Sequence, residues 1–371
     1  MLIKVKKLLG ILEFPINIIN KIQGEKMFLD SLVGLFSSDM AIDLGTANTL
    51  VLVKDKGIVI NEPSVVAVER GKYGQQKILA VGREAKEMVG KTHSGIEAIR
   101  PMRDGVIADF DMTEKMIRYF IEKTHHRKSF LRPRIIISVP YGLTQVERKA
   151  VRESALSAGA REVFLIEEPM AAAIGANLPV MEPQGSLVVD IGGGTTEIGV
   201  VSLGGLVISK SIRVAGDKIN ETIVNYVREK HNLVIGERTG EDIKIKIGCA
   251  VQLPKELTMN VKGRDQITRL LSSIELTSED AREAMEEPLK EIVDALKFVL
   301  ERMTPDIVGD IFKSGVVLTG GGALIRGLDK YISDAVKLPV YVADEPLLAV
   351  AKGTGKALEE IVLLQTLTNE E

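Results

Sequence analysis

The sequence predicts an α/β fold built from two related halves, on the strength of three observations. The motif Asp-x-Gly-x-x-x-Thr occurs at residues 43–49 and again at 190–196. Each copy follows a short apolar run that ends in the Asp, and each precedes a hairpin signal. Strand-like and helix-like segments alternate elsewhere, which favours largely parallel sheets covered by helices. A repeated motif with matching hairpins is improbable by chance and indicates two copies of one supersecondary unit.

The first half is predicted from local patterns taken in chain order. Residues 40–43 read as a buried strand, and 50–53 and 58–60 flank the turn signal Asp-Lys-Gly at 55–57. Residues 134–139 form an apolar strand that ends at Pro140. Residues 144–158 have helical spacing and close at Gly159. Residues 163–166 form another strand, after which Glu167-Glu168-Pro169 opens an Ala-rich helix with Pro in its first turn.

The second half repeats the opening unit. Residues 187–190 read as a buried strand, and 198–202 and 206–209 flank a turn predicted at Gly204-Gly205. Residues 278–303 are helical in pattern, although Pro288 is expected to kink or divide that helix. A strand at 315–319 leads into Gly320-Gly321-Gly322 and a further helix. We find no linker or low-complexity segment within 41–365.

Composition excludes several classes of protein. The 371 residues are 45% apolar, as in a globular protein. Basic residues number 48 against 51 acidic ones, and aromatic residues are only 4% with no Trp, so nucleic acid is not an expected partner. The single Cys249 excludes an intrachain disulfide and a multi-cysteine metal site. A reducing cytoplasm is the expected compartment.

The amino-terminal 39 residues form an extension with two amphipathic stretches. Residues 1–26 contain five lysines against two glutamates, and interrupting polar residues and Pro15 leave them too polar to span a membrane. Residues 28–36 place apolar side chains on one face: Phe28, Leu29, Leu32, Val33 and Phe36. Both stretches favour binding at a membrane surface. Alternatively, 28–36 packs on the body, and 1–26 precede a second candidate start at Met27.

A second candidate membrane element is the segment 125–132. It sets Phe130 and Leu131 among the cations Arg127, Lys128, Arg132 and Arg134. Anionic lipid attracts each nearby Lys or Arg by about 1 kcal/mol, which favours contact with a membrane. The alternative is that both apolar side chains pack inward.

The repeated motif predicts a site for a polyphosphate. A strand that ends in a carboxylate and leads into a Gly/Thr turn presents backbone N–H groups and hydroxyls to phosphate. The glycine run 320–322 precedes a helix, whose amino terminus favours anions. Asp43 and Asp190 would point into the cleft between these loops and hold Mg²⁺ through its waters. The alternatives are that the carboxylates cap the turns that follow them and that the glycine run is a plain helix start.

Two other nucleotide-binding patterns are missing. The sequence contains no Gly-x-x-x-x-Gly-Lys-Ser/Thr, which disfavours a P-loop NTPase. No Gly-x-Gly-x-x-Gly opens the first helix, so the dinucleotide fingerprint is also missing.

Several segments resemble the MreB family of bacterial actins, within the superfamily of actins, heat-shock chaperones and sugar kinases. The resemblance covers about residues 40–365, and residues 1–26 are longer at the front than that family leads us to expect. The segments are Ile-Asp-Leu-Gly-Thr-Ala-Asn-Thr at 42–49, Asn-Glu-Pro-Ser-Val at 61–65, Ala-Ile-Arg-Pro-Met at 98–102, Asp-Gly-Val-Ile-Ala-Asp at 104–109 and Ile-Glu-Glu-Pro-Met-Ala-Ala-Ala-Ile-Gly at 166–175.

The resemblance implies an actin-like fold, with two related halves, each a mixed sheet flanked by helices, and four subdomains around a nucleotide cleft. The first half would span 40–176, with a small subdomain inserted at about 67–100. The second would span 177–350, with an insertion at about 216–279. Residues 351–371 would form a helix that returns to the first half.

The resemblance also implies residue roles around ATP or ADP with Mg²⁺. Three loops and one helix would contact the nucleotide through Thr46, Ala47, Asn48, Gly192, Gly193, Gly194, Glu241, Lys244, Gly321, Gly322 and Ala323. From the residues alone, Glu241 and Lys244 would more often form an exposed helical salt bridge. Glu168 matches the residue that orients the attacking water, with Thr195 beside the γ-phosphate. Alternatively, Glu168 interacts with the helix dipole, or Glu167 takes the catalytic role.

The implied function is a slow ATPase coupled to the assembly of a cytoskeletal filament at the inner face of the cytoplasmic membrane. Such proteins form double protofilaments and work with transmembrane adaptors and the cell-wall elongation machinery to maintain rod shape. Alternatives of the same fold are a sugar-type kinase, for which no acceptor site is evident, and a chaperone ATPase, which needs a further substrate domain. The sequence also places Phe130 and Leu131 where that family has a hydrophobic membrane loop.

Overall fold

The computed structural model describes residues 39–71, 76–93, 95–124 and 132–360. The elements of the first half are β1 (Met40–Leu44), β2 (Asn48–Val53), β3 (Gly57–Pro63), β4 (Val66–Arg70), β5 (Gln76–Val81), α1 (Arg83–Met88), β6 (Ile96–Ile99), β7 (Met102–Arg103), β8 (Val106–Ile107), α2 (Phe110–Thr124), β9 (Arg134–Val139), α3 (Gln145–Ala158), β10 (Glu162–Glu167) and α4 (Glu168–Gly175).

The second half continues with a matching opening unit. Its elements are β11 (Ser186–Ile191), β12 (Thr196–Ser202), β13 (Gly205–Ile212), α5 (Gly216–His231), β14 (Leu233–Val234), α6 (Glu237–Ile247), β15 (Thr258–Asp265), β16 (Leu271–Thr277), α7 (Ser278–Leu300), α8 (Pro305–Ser314), β17 (Val316–Thr319), a 3₁₀ turn (Gly321–Leu324), α9 (Leu328–Val336), β18 (Val340–Val342), a second 3₁₀ turn (Pro346–Leu348) and α10 (Ala349–Glu359).

The two large sheets share one plan. The first has the strand order β10–β9–β1–β2–β3, and the second has the order β13–β12–β11–β17–β18. In each, a central strand pairs antiparallel with a hairpin on one side and parallel with a strand on the other. The sheets are therefore mixed, because the hairpin that follows each repeated motif adds two antiparallel strands to an otherwise parallel sheet.

Two smaller sheets lie within chain segments that interrupt this plan. The order β5–β4–β6 belongs to the first half, and the order β14–β15–β16 belongs to the second. They fall close to the predicted insertions at 67–100 and 216–279. The division into four subdomains stays a prediction.

Helices α4 and α10 pack between the two large sheets. Their shared apolar cluster includes Ala41 and Ile136 from the first sheet and Val188 and Val201 from the second. Glycine permits a very close backbone approach here: a Cβ added at Gly353 would lie 1.8 Å from the carbonyl oxygen of Ala171. This layer joins the halves and sets the distance between the loops at the ends of their central strands.

Most predicted elements are present, and local chemistry explains their ends. Helix α3 starts with a capping box in which Thr144 and Glu147 satisfy each other's backbone N–H groups. It stops at Gly159, whose φ is 120°. Within the described ranges, no helix combines the length and apolar character needed to cross a bilayer.

Three local predictions are corrected. The second hairpin turns at Leu203 and Gly204, both with positive φ, so Gly205 already belongs to β13. Helix α7 runs from Ser278 to Leu300 as one element with Pro288 inside it, so of the two expected outcomes, a kink or a division, Pro288 does not divide the helix. The glycine run 320–322 leads into a short 3₁₀ turn, and the next α-helix starts only at Leu328.

Candidate functional site

Two aspartates mark the ends of the central strands. Strand register places Asp43 beside Ser138 and Asp190 beside Thr319. The Ser138 hydroxyl donates to Oδ1 of Asp43 at 3.0 Å, and the Thr319 hydroxyl donates to Oδ1 of Asp190 at 2.8 Å. Each half thus supplies a carboxylate held by a hydroxyl from the neighbouring parallel strand.

The two carboxylates are close enough to affect each other. Removal from water, followed by the charge of Asp190, raises the pKa of Asp43 to about 7, against the effect of the Ser138 hydrogen bond. Burial raises the pKa of Asp190 to about 6. A cation between them would offset both effects, and carboxylate oxygens are the ligands that Mg²⁺ prefers.

The donor set suits a hydrated cation rather than a closed metal cage. Across 39–71, 76–93, 95–124 and 132–360, no group of three His, Cys, Asp or Glu side chains is arranged to hold a metal. Two carboxylates with phosphate oxygens and water match the usual surroundings of Mg²⁺ in nucleotide sites. Asp43 and Asp190 are therefore the residues that would hold Mg²⁺ here.

The two motif loops interlock. A Cβ added at Gly193 would lie 2.5 Å from Cβ of Ala47, and one added at Gly194 would lie 2.6 Å from Oγ1 of Thr46. Oγ1 of Thr46 also accepts a hydrogen bond from the N–H of Gly105 at 3.0 Å. The first loop fills the space that the glycines of the second loop leave, while Ala47 and Asn48 stay exposed.

The second loop is hydrogen-bonded to the amino terminus of helix α5. The N–H groups of Gly216 and Asp217 donate to the carbonyls of Gly192 and Gly193 at 3.1 and 2.8 Å. The ammonium group of Lys244, on α6, donates to the carbonyl of Gly216 at 3.0 Å. Lys244 therefore lies at the base of the second loop, and its removal from water lowers its pKa.

Glu241 has a partner in the other half. Lys86, on α1, contacts its carboxylate at 2.9 Å. Nearby, Arg100 contacts Glu237 at 2.8 Å and Asp217 at 3.6 Å. These ion pairs connect the segment 86–100 to α5 and α6 across an open cavity of about 410 Å³, whose lining includes Thr46, Arg100, Asp104, Asp217 and Glu237.

The third glycine run packs on the end of β11. A Cβ at Gly322 would lie 2.2 Å from Cγ2 of Ile191, and Gly320 has a φ of 78° close to the Ile191 backbone. Gly321 is exposed while Gly322 and Ala323 are buried. This run therefore lies beside the second loop, as the prediction of three convergent loops requires.

Glu168 is the first residue of α4 and is buried. Burial raises its pKa well above the usual value, and the charges of Glu197, Asp43 and Asp190 add to the effect. Its neighbour Glu167 instead forms an ion pair with Arg148 at 2.8 Å. Of the two glutamates, Glu168 is therefore the one that shares the site of the paired aspartates.

Glu197 is a site residue that our sequence reasoning missed. It is fully buried on β12, directly opposite Asp190 in the β11–β12 pair. Its carboxylate accepts hydrogen bonds from the Ser211 hydroxyl at 2.6 Å and from the N–H of Tyr141 at 3.1 Å. The available signal was a glutamate in a mostly apolar strand, two residues after Thr195.

A second cavity, of about 340 Å³, lies beside these residues. Side chains and backbone from both halves form its wall, among them Tyr141, Thr195, Ser209, Lys210, Ser211 and Arg213. Thr195 thus lies between the carboxylate cluster and this cavity.

The predicted membrane elements fall outside the described residues. This applies to Phe28, Leu29, Leu32, Val33 and Phe36 and to Phe130 and Leu131.

The chain is similar to known proteins over most of its length. The sequence model of the family described as MreB/Mbl protein matches residues 37–366. The cell shape-determining protein MreB of Escherichia coli (strain K12) is 54% identical over 331 residues, which cover 88% of this chain and 95% of that protein. The cell shape-determining protein Mbl of Bacillus subtilis (strain 168) is 48% identical over 327 residues, 88% of this chain and 97% of that protein.

Solved structures share the fold. MreB5 of Spiroplasma citri bound to AMPPNP superposes with a TM-score of 0.84 and 36% identity, covering 90% of this chain and 99% of that one. The same protein bound to ADP has a TM-score of 0.83. A MamK double helical filament has a TM-score of 0.74 at 20% identity, covering 86% and 99%, and supports the fold alone. The fold is actin-like, as the sequence predicts.

Proposed function

The chain belongs to the MreB/Mbl family, and on this premise we propose that it is a bacterial actin that binds ATP and assembles into cytoskeletal filaments. The interlocked pair of loops that follow Asp43 and Asp190 is the observation that carries this proposal. Relatives named for cell-shape determination support the cellular role. MamK, a protein of the same fold, forms a double helical filament, and the self-association proposed for this chain would be of that kind.

ATP would lie across the three glycine-containing loops. Backbone N–H groups of 46–48 and 192–194 would face the phosphates, and 321–323 with Glu241 and Lys244 would contact the adenosine. The structures of MreB5 of Spiroplasma citri bound to AMPPNP and to ADP support the proposal that this chain binds a nucleotide. The Lys86 contact to Glu241 adds a link from the opposite half to this region.

Hydrolysis would depend on Glu168 and Thr195. Mg²⁺, when bound by Asp43 and Asp190, would neutralise charge on the phosphates. Glu168 would hold a water in line with the γ-phosphate, and Thr195 would contact that phosphate. The water oxygen would bond to phosphorus while the bond from phosphorus to the bridging oxygen breaks. One water proton would stay on the inorganic phosphate, the other would pass to Glu168 and on to solvent, and ADP would leave with the bridging oxygen. The burial of Glu168 beside Asp43 and Asp190 supports its assignment over Glu167, which is held by Arg148.

In the cell, we expect double protofilaments at the inner face of the cytoplasmic membrane. Transmembrane adaptors and cell-wall elongation proteins would be the partners, and rod shape would be the outcome. These expectations follow from family membership, and nucleic acid is not an expected partner.

Sedimentation and electron microscopy test the assembly proposal. Purified protein with Mg-ATP should pellet and show paired filaments, whereas the same protein without nucleotide should stay in the supernatant. Phosphate release should accompany assembly. ATP turnover that requires an added small-molecule acceptor, with no pelleting, would contradict assembly and favour a kinase.

Vesicle co-sedimentation tests the membrane proposal. A monomer with small apolar anchors would bind lipid weakly, and a filament that repeats the anchors would bind firmly through avidity. We expect anionic vesicles to pellet wild-type filaments. A chain that starts at Asp39 and also carries Phe130→Ser and Leu131→Ser should polymerise but leave the vesicles unbound. Wild-type vesicle binding by that variant would show that both membrane assignments are wrong.

A further inference from the structure

Glu197 occupies a place that is costly for a carboxylate. It lies fully buried and directly opposite Asp190 across two antiparallel strands. Like charges at such cross-strand positions destabilise a sheet, and a buried ionisable group costs more than an apolar side chain of similar size. Asp43 and Glu168 add two more acids to the same cluster. Packing alone therefore does not account for a glutamate at this position.

The hydrogen bonds of Glu197 come from both halves of the molecule. Ser211, on the neighbouring strand β13, donates its hydroxyl to Oε1 at 2.6 Å. Tyr141, which follows β9 in the first half, donates its backbone N–H to Oε2 at 3.1 Å. With one oxygen held from each half, the carboxylate has a fixed orientation only when the halves keep this relative position.

The held carboxylate lies among the groups assigned to hydrolysis. Thr195 directly precedes β12, and Glu197 is the second residue of that strand. Thr195 also lines the same cavity as Ser211, which donates to Glu197. Burial raises the pKa of Glu197 to about 7, and the Thr195 side chain is among the groups that lower it. Burial raises the pKa of Glu168, and among the charged groups around it Glu197 adds the largest further rise.

We propose that Glu197 is a positioning residue for ATP hydrolysis, which orients Thr195 and Glu168 through a carboxylate anchored by Ser211 and the N–H of Tyr141. This inference rests on the proposed function and adds to it a residue that touches neither the nucleotide nor the metal. Because one anchor comes from the opposite half, correct orientation requires both halves. Binding of nucleotide, which uses the glycine loops, does not depend on it.

Variants of Glu197 and Ser211 test the proposal in the full-length protein. Glu197→Gln keeps the shape but replaces one acceptor oxygen by an NH₂ group, which cannot accept the existing hydrogen bond. Ser211→Ala removes one anchor, and Ser211→Thr restores its hydroxyl. Ser209→Ala is the matched control, because Ser209 lines the same cavity from the same strand but donates to the carbonyl of Ile198.

The readouts are kcat for ATP hydrolysis and the Kd for AMPPNP. Positioned acid–base groups contribute about 10²–10⁴-fold, so we expect Glu197→Gln to lower kcat by about 100-fold and Ser211→Ala by about tenfold, with Kd changed less than about threefold. Ser211→Thr should recover most of the rate, and Ser209→Ala should match wild type. If Glu197→Gln fails to fold, the comparison of Ser211→Ala with Ser209→Ala decides.

Three results would overturn the inference. These are a wild-type kcat in Glu197→Gln or Ser211→Ala, equal losses in the Ser211 and Ser209 variants, or a parallel loss of AMPPNP affinity and rate. A wild-type protein that hydrolyses no ATP would instead contradict the proposed function and this inference with it. ATP hydrolysis by the wild-type protein therefore distinguishes a failure of this inference from a failure of the proposed function.

Discussion

The two motif loops have the same sequence pattern but different parts in the cleft. The first loop contributes side chains, because Thr46 and Ala47 project toward the second loop. The second loop contributes space, because a Cβ added at Gly193 or Gly194 would lie only 2.5–2.6 Å from those side chains. A tandem motif has therefore become an asymmetric interlock, in which each loop needs the residue types of the other.

The two aspartates also differ in their surroundings. Both accept a hydroxyl hydrogen bond from a parallel strand, but Asp43 is half-buried and Asp190 is buried. The acids near them also come from different halves: Glu168 from α4 of the first and Glu197 from β12 of the second. The acidic groups of the site are therefore divided between the two halves, and neither half contains all of them.

The largest effect, on the rate of ATP hydrolysis, is expected from replacing Glu168. Glu168→Ala should slow ATP hydrolysis by about 10²–10⁴-fold, because a positioned acid–base group is lost. AMPPNP affinity should stay close to wild type, since the loops are intact. Phosphate-release assays and calorimetry measure the two quantities. Glu167→Ala is the control, and a slower rate in that variant alone would move the role to Glu167.

Removal of one aspartate tests whether the halves contribute equally to the cation. Asp43→Ala and Asp190→Ala should each weaken Mg-ATP binding by about 10- to 100-fold, since interactions of charged groups contribute about 1.5–3 kcal/mol. Assembly should fail in both. Titration calorimetry with and without Mg²⁺ should show the loss only when Mg²⁺ is present. Unchanged Mg-ATP affinity in either variant would remove that residue from the site.

The interlock can be broken and then repaired. Gly193→Ala should weaken nucleotide binding by about tenfold, because overpacking costs about 1–3 kcal/mol. Ala47→Gly removes the Cβ that the new methyl group would meet, so the double variant should recover part of the affinity. A double variant no better than Gly193→Ala would show that the loops do not touch through these positions.

The pH dependence of stability tests the crowding of the acids. The raised pKa values, about 7 for Asp43 and Glu197 and about 6 for Asp190, mean that the folded protein keeps protons that the unfolded chain releases. Stability without nucleotide should therefore fall as the pH rises from about 4 to about 7. Asp43→Asn should flatten this fall and raise Tm at pH 8. Thermal unfolding at several pH values measures it, and a Tm that rises across this range would contradict the interpretation.

The smallest effect concerns the ion pairs across the cleft. Lys86 and Glu241 are each about one-third exposed, so Lys86→Ala should change stability by less than about 1 kcal/mol. Glu241→Ala should weaken nucleotide binding more than Lys86→Ala does, because Glu241 is also a proposed adenosine contact. Lys149→Ala, in an exposed helical pair, is the control. Equal losses of nucleotide affinity in the Lys86 and Glu241 variants would show that Glu241 does not contact the adenosine.

Sequence alone determined the features that depend on neighbouring residues. The strands that carry Asp43 and Asp190 and the helix that closes at Gly159 are local patterns, and each is where it was expected. The turn of the second hairpin was placed one residue late, because the left-handed conformation at Leu203 has no signal in its side chain. Pro288 was expected to kink or divide its helix, but α7 is one element in which Pro288 is buried.

Only the tertiary structure decided which distant groups meet. The partners Ser138 and Asp43 are 95 residues apart, Thr319 and Asp190 are 129 apart, and Lys86 and Glu241 are 155 apart. Glu197 gained its place in the site from strand register and from an N–H of the other half. Periodicity indicates which face of an element is buried, but it carries no information on which other element will cover that face. That choice depends on the packing of α4 against α10, where two backbones approach without side chains between them.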